Sequence, residues 1–159
     1  LANGIGHLPG ATARERVHTR TAALGWRFPA LVHPFAWVDP SACLRDGCQV
    51  MAGAVVQADA QLGENALVNT GARIDHDTVV GPHAHVAPGA VLCGDVCVGA
   101  GAFIGAGATV VQGLQIGPHA VVGAGTTLRH DLPAGERWRG PERRGTASGG
   151  PTLHTERPR

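Results

Sequence analysis

The stretch Ile74-Asp75-His76-Asp77-Thr78 sets an imidazole between two carboxylates. A carboxylate beside a histidine fixes its tautomer and favours the imidazolium that forms when the ring takes a proton, which is what a general base needs. The same residues also suit a solvated corner whose polar groups only satisfy a turn. His83, His85, His119 and His130 lie further along, while His7, His18, His33, His119, His130 and His154 read as surface or packing residues. Cys43, Cys48, Cys93 and Cys97 show no nucleophile setting, and the C-x-x-x-C spacing of Cys93 and Cys97 has no second pair to complete a zinc site. They read as reduced thiols of a cytoplasmic protein.

What must position His76 is a repeat of six. From Val38 to Leu128 an aliphatic residue stands first in every hexad, through Val56, Ile74, Leu92 and Val110. The fifth position is Ala, Cys or Thr except at Val96, Leu114 and Leu132. A helix needs a period of about 3.6 and a half-buried strand a period of 2, so neither accounts for the pattern. Hexads with Gly-, Asn- and Asp-rich corners predict a parallel β-helix over residues 34–135, with three hexads to a coil and residues eighteen apart stacked at ~4.8 Å. In that frame His76 occupies a third position, and Ala58 and Gly94, directly below and above it, leave space beside the ring. Cys43 and Cys97 fall three coils apart, ~14 Å at that spacing, beyond disulfide reach. Burial of the aliphatic ladder falls short of the entropy cost of ordering the repeat, so bonding between coils and burial of flat faces against other copies must contribute. An oligomer is expected.

Residues 1–33 differ in kind. Leu1 to Gly6 and Trp26 to Val32 read as strands around a helix over Ala11 to Leu24, the closing β-α-β of a parallel α/β domain whose front portion lies upstream. The glycines of Asn3 to Gly6 do not complete a phosphate loop. Residues 136–159 are rich in Arg, Gly and Pro, with order expected to about 145 and disorder beyond. A net charge of +1, with arginine as the only strong base, argues against a nucleic-acid surface. No apolar run is long enough to span a membrane.

The run from Leu31 to Ala42, the segment Val68-Asn-Thr-Gly-Ala-Arg-Ile-Asp-His-Asp77 and the segment His83-Ala-His-Val-Ala-Pro-Gly89 resemble the sialic acid O-acetyltransferase and bacillosamine-pathway sugar N-acetyltransferase family over about residues 1–143. The resemblance implies a left-handed β-helix, an exception to the usual right-handed crossover. It also implies a homotrimer with active sites between subunits, acetyl-CoA along the groove parallel to the axis, and no metal. It makes His76 the general base and Asp77 its supporting acid, with Asp in place of a longer Glu. His85 would contact the acetyl donor, Ala106 and Ala124 would approach it through backbone groups, and Asn69 would belong to the substrate site. Gly140-Pro141-Glu142-Arg143 resembles the family's close, near the far end of that groove. Two alternatives remain open: a zinc enzyme like the gamma-class carbonic anhydrases, although no two histidines stand five apart as that site requires, and an inactive CoA-binding remnant.

Overall fold

The computed structural model describes residues 1–141. Each hexad folds into a two-residue strand followed by a corner, and successive strands fall in turn on three parallel sheets. They wind a left-handed β-helix. The first sheet holds β1 (Leu31–Val32), β4 (Gln49–Val50), β7 (Leu67–Val68), β10 (His85–Val86), β13 (Phe103–Ile104), β16 (Val121–Val122) and β18 (Arg137–Trp138). The second runs from β2 (Trp37–Val38) through β8 (Arg73–Ile74) to β17 (Thr127–Leu128), and the third from β3 (Cys43–Leu44) through β9 (Val79–Val80) to β15 (Gln115–Ile116). Partners are eighteen residues apart, as in Val68 with Val86 and Val86 with Ile104.

The aliphatic ladder fills the prism. Val50, Val56, Leu62, Val68, Ile74, Val80, Val86, Leu92, Val98, Ile104, Val110, Ile116, Val122 and Leu128 are all buried there. Each such side chain contributes roughly 1.5–3 kcal/mol relative to exposure. The small fifth residues pack inside the corners, Ala54, Ala60, Ala66, Ala72, Ala84 and Ala90 being fully buried. The fourth position of every hexad from Gly47 to Gly125 has positive φ, which explains its Gly, Asn, Asp and His residues. Asp77, at φ 57°, is one of these corner residues.

Two expectations are corrected at the ends of the repeat. The strand expected over Trp26 to Val32 is only Leu31–Val32, and it pairs with β4, so the β-helix begins at Leu31. Leu1 to Gly6 is not a strand, because no sheet edge lies beside it to complete a ladder. It is an extended strap up the outside of the first sheet, its carbonyls taken by side chains: Gln49 Nε2 donates to Asn3 O at 2.9 Å, and Arg14 Nη1 donates to the carbonyls of Asn3 and Ile5 at 2.9 Å each. The helix α1 (Ala13–Ala23) follows and packs His18 against Phe28, ring centroids 4.5 Å apart. At the other end Trp138 pairs with Val122, sixteen residues back rather than eighteen, which closes the last coil early. Glu142, Arg143 and the tail expected to be disordered lie outside the described residues.

Candidate active site

His76 sits on the corner between β8 and β9. Its Nδ1 lies 2.8 Å from Asp77 Oδ2, and both side chains are exposed, at 61% and 59%. A carboxylate only accepts, so Nδ1 carries the proton and Nε2 is left as the base. The Asp77 bond, with smaller contributions from the Asp75, Asp77 and Asp95 charges, raises the His76 pKa above its ordinary value. Asp75 turns back to accept from the His76 backbone N–H at 2.8 Å. The arrangement is a proton acceptor held at the surface.

The space expected beside the ring is not empty. A Cβ built on Gly94 would lie 2.6 Å from both Cε1 and Nε2 of His76, so the imidazole itself rests over Gly94. Ala58, below in the same column, is half-buried.

His85, nine residues on, is placed very differently. It lies on β10 under the strap and is only 5% exposed. Its Nδ1–H donates to the His7 carbonyl at 3.2 Å, and its Nε2 accepts from Asn69 Nδ2 at 3.2 Å. His7 and Phe103 cover the ring, with centroids at 5.6 and 5.0 Å. Burial, reinforced by the His7 and Arg14 charges, lowers its pKa to about 4. Both ring nitrogens are therefore engaged inside the protomer, and Asn69 spends its amide on His85. A direct contact between His85 and an acetyl donor, as expected, finds no free nitrogen in this arrangement.

Ala106 and Ala124 are exposed on a different edge of the prism, the corners after β13 and β16. Among the described residues neither of their N–H groups donates to a backbone carbonyl. Beside Ala124 a concavity of about 630 Å³ is lined by Gly125, Thr126, Arg129, His130, Trp138, Arg139 and Pro141. Five concavities among the described residues do not include His76, although Ile74 and Asp75 beside it line one of about 120 Å³.

The remaining histidines divide. His18 is buried on α1 and His83 is half-buried at a corner, their rings 5.7 Å apart, and burial lowers the His18 pKa. His83 Nδ1 accepts from Asn65 Nδ2 at 2.9 Å. Among the described residues no three His, Cys, Asp or Glu side chains converge as metal ligands. All four cysteines are free thiols, and burial raises Cys48 to about 11. His154 lies outside the described residues. Two contacts of His76 escaped sequence reasoning, Gly94 as the floor under the ring and the buried Thr78 behind it. Thr78 carried a usable signal, since a hydroxyl stands there where most hexads place Ala.

The hexad architecture is shared with known proteins. Residues 59–94, 77–112 and 98–130 match the family described as bacterial transferase hexapeptide (six repeats). Among solved structures the chain is similar to the acetyltransferase domain of PglB from Neisseria gonorrhoeae, at 40% identity and TM-score 0.77, covering 78% of this chain and 60% of that one. That domain is also known in complex with acetyl coenzyme A. The chain is likewise similar to perosamine N-acetyltransferase from Caulobacter crescentus. A histidine-to-asparagine variant of that protein, in complex with CoA and GDP-perosamine, matches at 39% identity and TM-score 0.77, over 78% of this chain and 59% of that one. PerB from the same organism, with the same two ligands, matches at 38% and TM-score 0.77, over 80% and 61%. The comparison with curated sequences finds no match. These structures extend the resemblance from short motifs to about four fifths of this chain, and the chain spans about 60% of the length of each.

Proposed function

We propose that the protein transfers an acetyl group from acetyl-CoA to an amine or hydroxyl of a sugar, by direct attack and without a covalent enzyme intermediate. The observation that carries this reading is the exposed His76–Asp77 pair at 2.8 Å, on a β-helix shared with sugar N-acetyltransferases that bind acetyl-CoA, CoA and GDP-perosamine. His76 Nε2 takes the proton from the acceptor as its nitrogen or oxygen attacks the thioester carbon, while Asp77 holds the ring and stabilises the imidazolium. Charge growing on the thioester oxygen is met by a backbone N–H, since the His85 nitrogens are engaged. His85 then acts through Asn69 and the strap rather than on the donor.

The donor fits the residues present. The concavity beside Ala124 is open, and Arg129 and Arg139 on its wall suit the phosphates of CoA, with the free N–H groups of Ala106 and Ala124 along the same edge. Because the base is exposed on a corner, the reading assigns the site to the seam of a homotrimer, where a neighbouring prism supplies the second wall. The reading also places the protein in the cytoplasm. Among the described residues no helix is long and apolar enough to cross a membrane.

The test is release of free CoA thiol from acetyl-CoA against amino-sugar nucleotides, free sialic acid and simple amines. Turnover confined to a sugar acceptor supports the reading. CoA binding without turnover of any acceptor replaces it with a cofactor-binding remnant.

A further inference from the structure

Thr78 breaks the rule of its column. The fifth residue of a hexad packs inside the corner, and most of these positions are Ala, yet Thr78 buries a hydroxyl there with no exposure at all. An interior hydroxyl must find partners or cost roughly 1–3 kcal/mol. Its partners belong to the His76 corner. Thr78 Oγ1 donates to the Cys93 carbonyl of the next coil at 3.0 Å, with the His76 carbonyl at 3.5 Å, and accepts from the Val96 N–H at 3.4 Å. The Cys93 carbonyl belongs to the peptide that joins Cys93 to Gly94, so one hydroxyl ties the coil bearing His76 to the residue on which its ring rests.

Gly94 completes the arrangement. It is not among the glycines with positive φ, so a side chain there meets no backbone strain. What it meets is the imidazole, at 2.6 Å. What a methyl at 94 would crowd is thus the ring and not the turn. With Ala at 94 the exposed imidazole would have to move off the next coil, out of the position in which it meets Asp77 at 2.8 Å.

We propose that Thr78 and Gly94 are positioning residues for His76: Gly94 is the seat of the imidazole and Thr78 is the tie that holds that seat in register. The proposal rests on the reading of His76 as the general base, and it accounts for two residues that a β-helix alone does not need. Both act by keeping Nε2 on one trajectory, where a misplacement of about 1 Å costs on the order of 10²-fold in rate.

The experiment uses Gly94→Ala, Thr78→Val and Thr78→Ser in the full chain. Valine keeps the shape of threonine without its hydroxyl, and Val96 already fills the equivalent position one coil on, so the corner has room for it. Gly94→Ala is expected to lower kcat by about 10²-fold and Thr78→Val by about tenfold, with KM for both substrates within about twofold and Thr78→Ser close to wild type. Titration of the His76 ring by NMR is the independent arm. In Gly94→Ala its midpoint falls towards the ordinary value of about 6.5 as the Asp77 bond is lost. A Gly94→Ala protein whose His76 titrates as in wild type overturns the seat, and a Thr78→Val protein with wild-type kcat overturns the tie. If wild-type protein acetylates no acceptor, the proposed function fails while the NMR arm, read on both Gly94→Ala and Thr78→Val, still decides the positioning, a wild-type His76 midpoint in either variant overturning its part.

Discussion

His76 and His85 stand nine residues apart on one coil, yet they are opposite in almost every physical respect. One is exposed at a corner with a carboxylate on Nδ1, and its pKa is raised by that bond. The other is buried beneath the N-terminal strap between a carbonyl and an amide, and burial lowers its pKa to about 4. His76 keeps Nε2 open to take a proton, whereas both ring nitrogens of His85 are engaged. The proposed base and the docking of the strap thus draw on the same side-chain type, and only the neighbours separate the two roles.

The comparison breaks most sharply at His76. His76→Ala is expected to lower turnover by ~10²-fold or more while sedimentation shows the same assembly as wild type. Asp77→Asn leaves the ring but removes its acceptor, and turnover should fall on the order of tenfold. The same variant moves the acid limb of the pH–rate profile. His76 works only when neutral, so activity falls as pH drops through its pKa, which Asp77 holds above the ordinary value. Without the carboxylate the limb shifts to lower pH, and a profile of kcat against pH measures the displacement.

His85 sharpens the contrast from the other side. Its folded pKa is depressed, so protonation favours release of the strap. The stabilisation is complete above about 6.5 and is lost as pH falls towards about 4. His7 and His18, also lowered chiefly by burial, act in the same direction. The groups facing the strap and α1 are Arg14, Glu15 and His18 on α1, His7 on the strap, and Asp46, Glu64, His83 and His119 on the β-helix. Protection factors of the amides over residues 3–14, corrected for the intrinsic exchange rate at each pH, should therefore fall between pH 7 and 4 while those of the buried ladder stay high. The smallest effect belongs to Asn69→Ala. It removes the donor to His85 Nε2 and should loosen the strap by roughly 0.5–1.5 kcal/mol, read as faster exchange at neutral pH.

Much of this was legible in the residues. The hexad phase places every first-position aliphatic from Val50 to Leu128 inside, and the structure keeps all of them there. The His76–Asp77 pair could be read because its members are adjacent and a corner turns them outward together. Val32 is in phase with the hexads too, but a repeat shows itself only where neighbours repeat, and the strap and α1 before it hide the first coil. Leu1 to Gly6 misled because an apolar run resembles a strand whether or not a partner edge exists. Gly94 could be placed in the column of His76, but not the fact that the ring lies across it.

By itself the sequence determined the architecture and the corner that presents the base, because both follow from periodicity and from contacts within a few residues. Tertiary structure decided which histidines are buried. The carbonyl that caps His85 comes from His7, 78 residues earlier in the chain, and the Thr78 hydroxyl finds its partner 15 residues later on the next coil. Burial and hydrogen bonding across such separations depend on how coils stack and where the strap lies, and no local pattern encodes them.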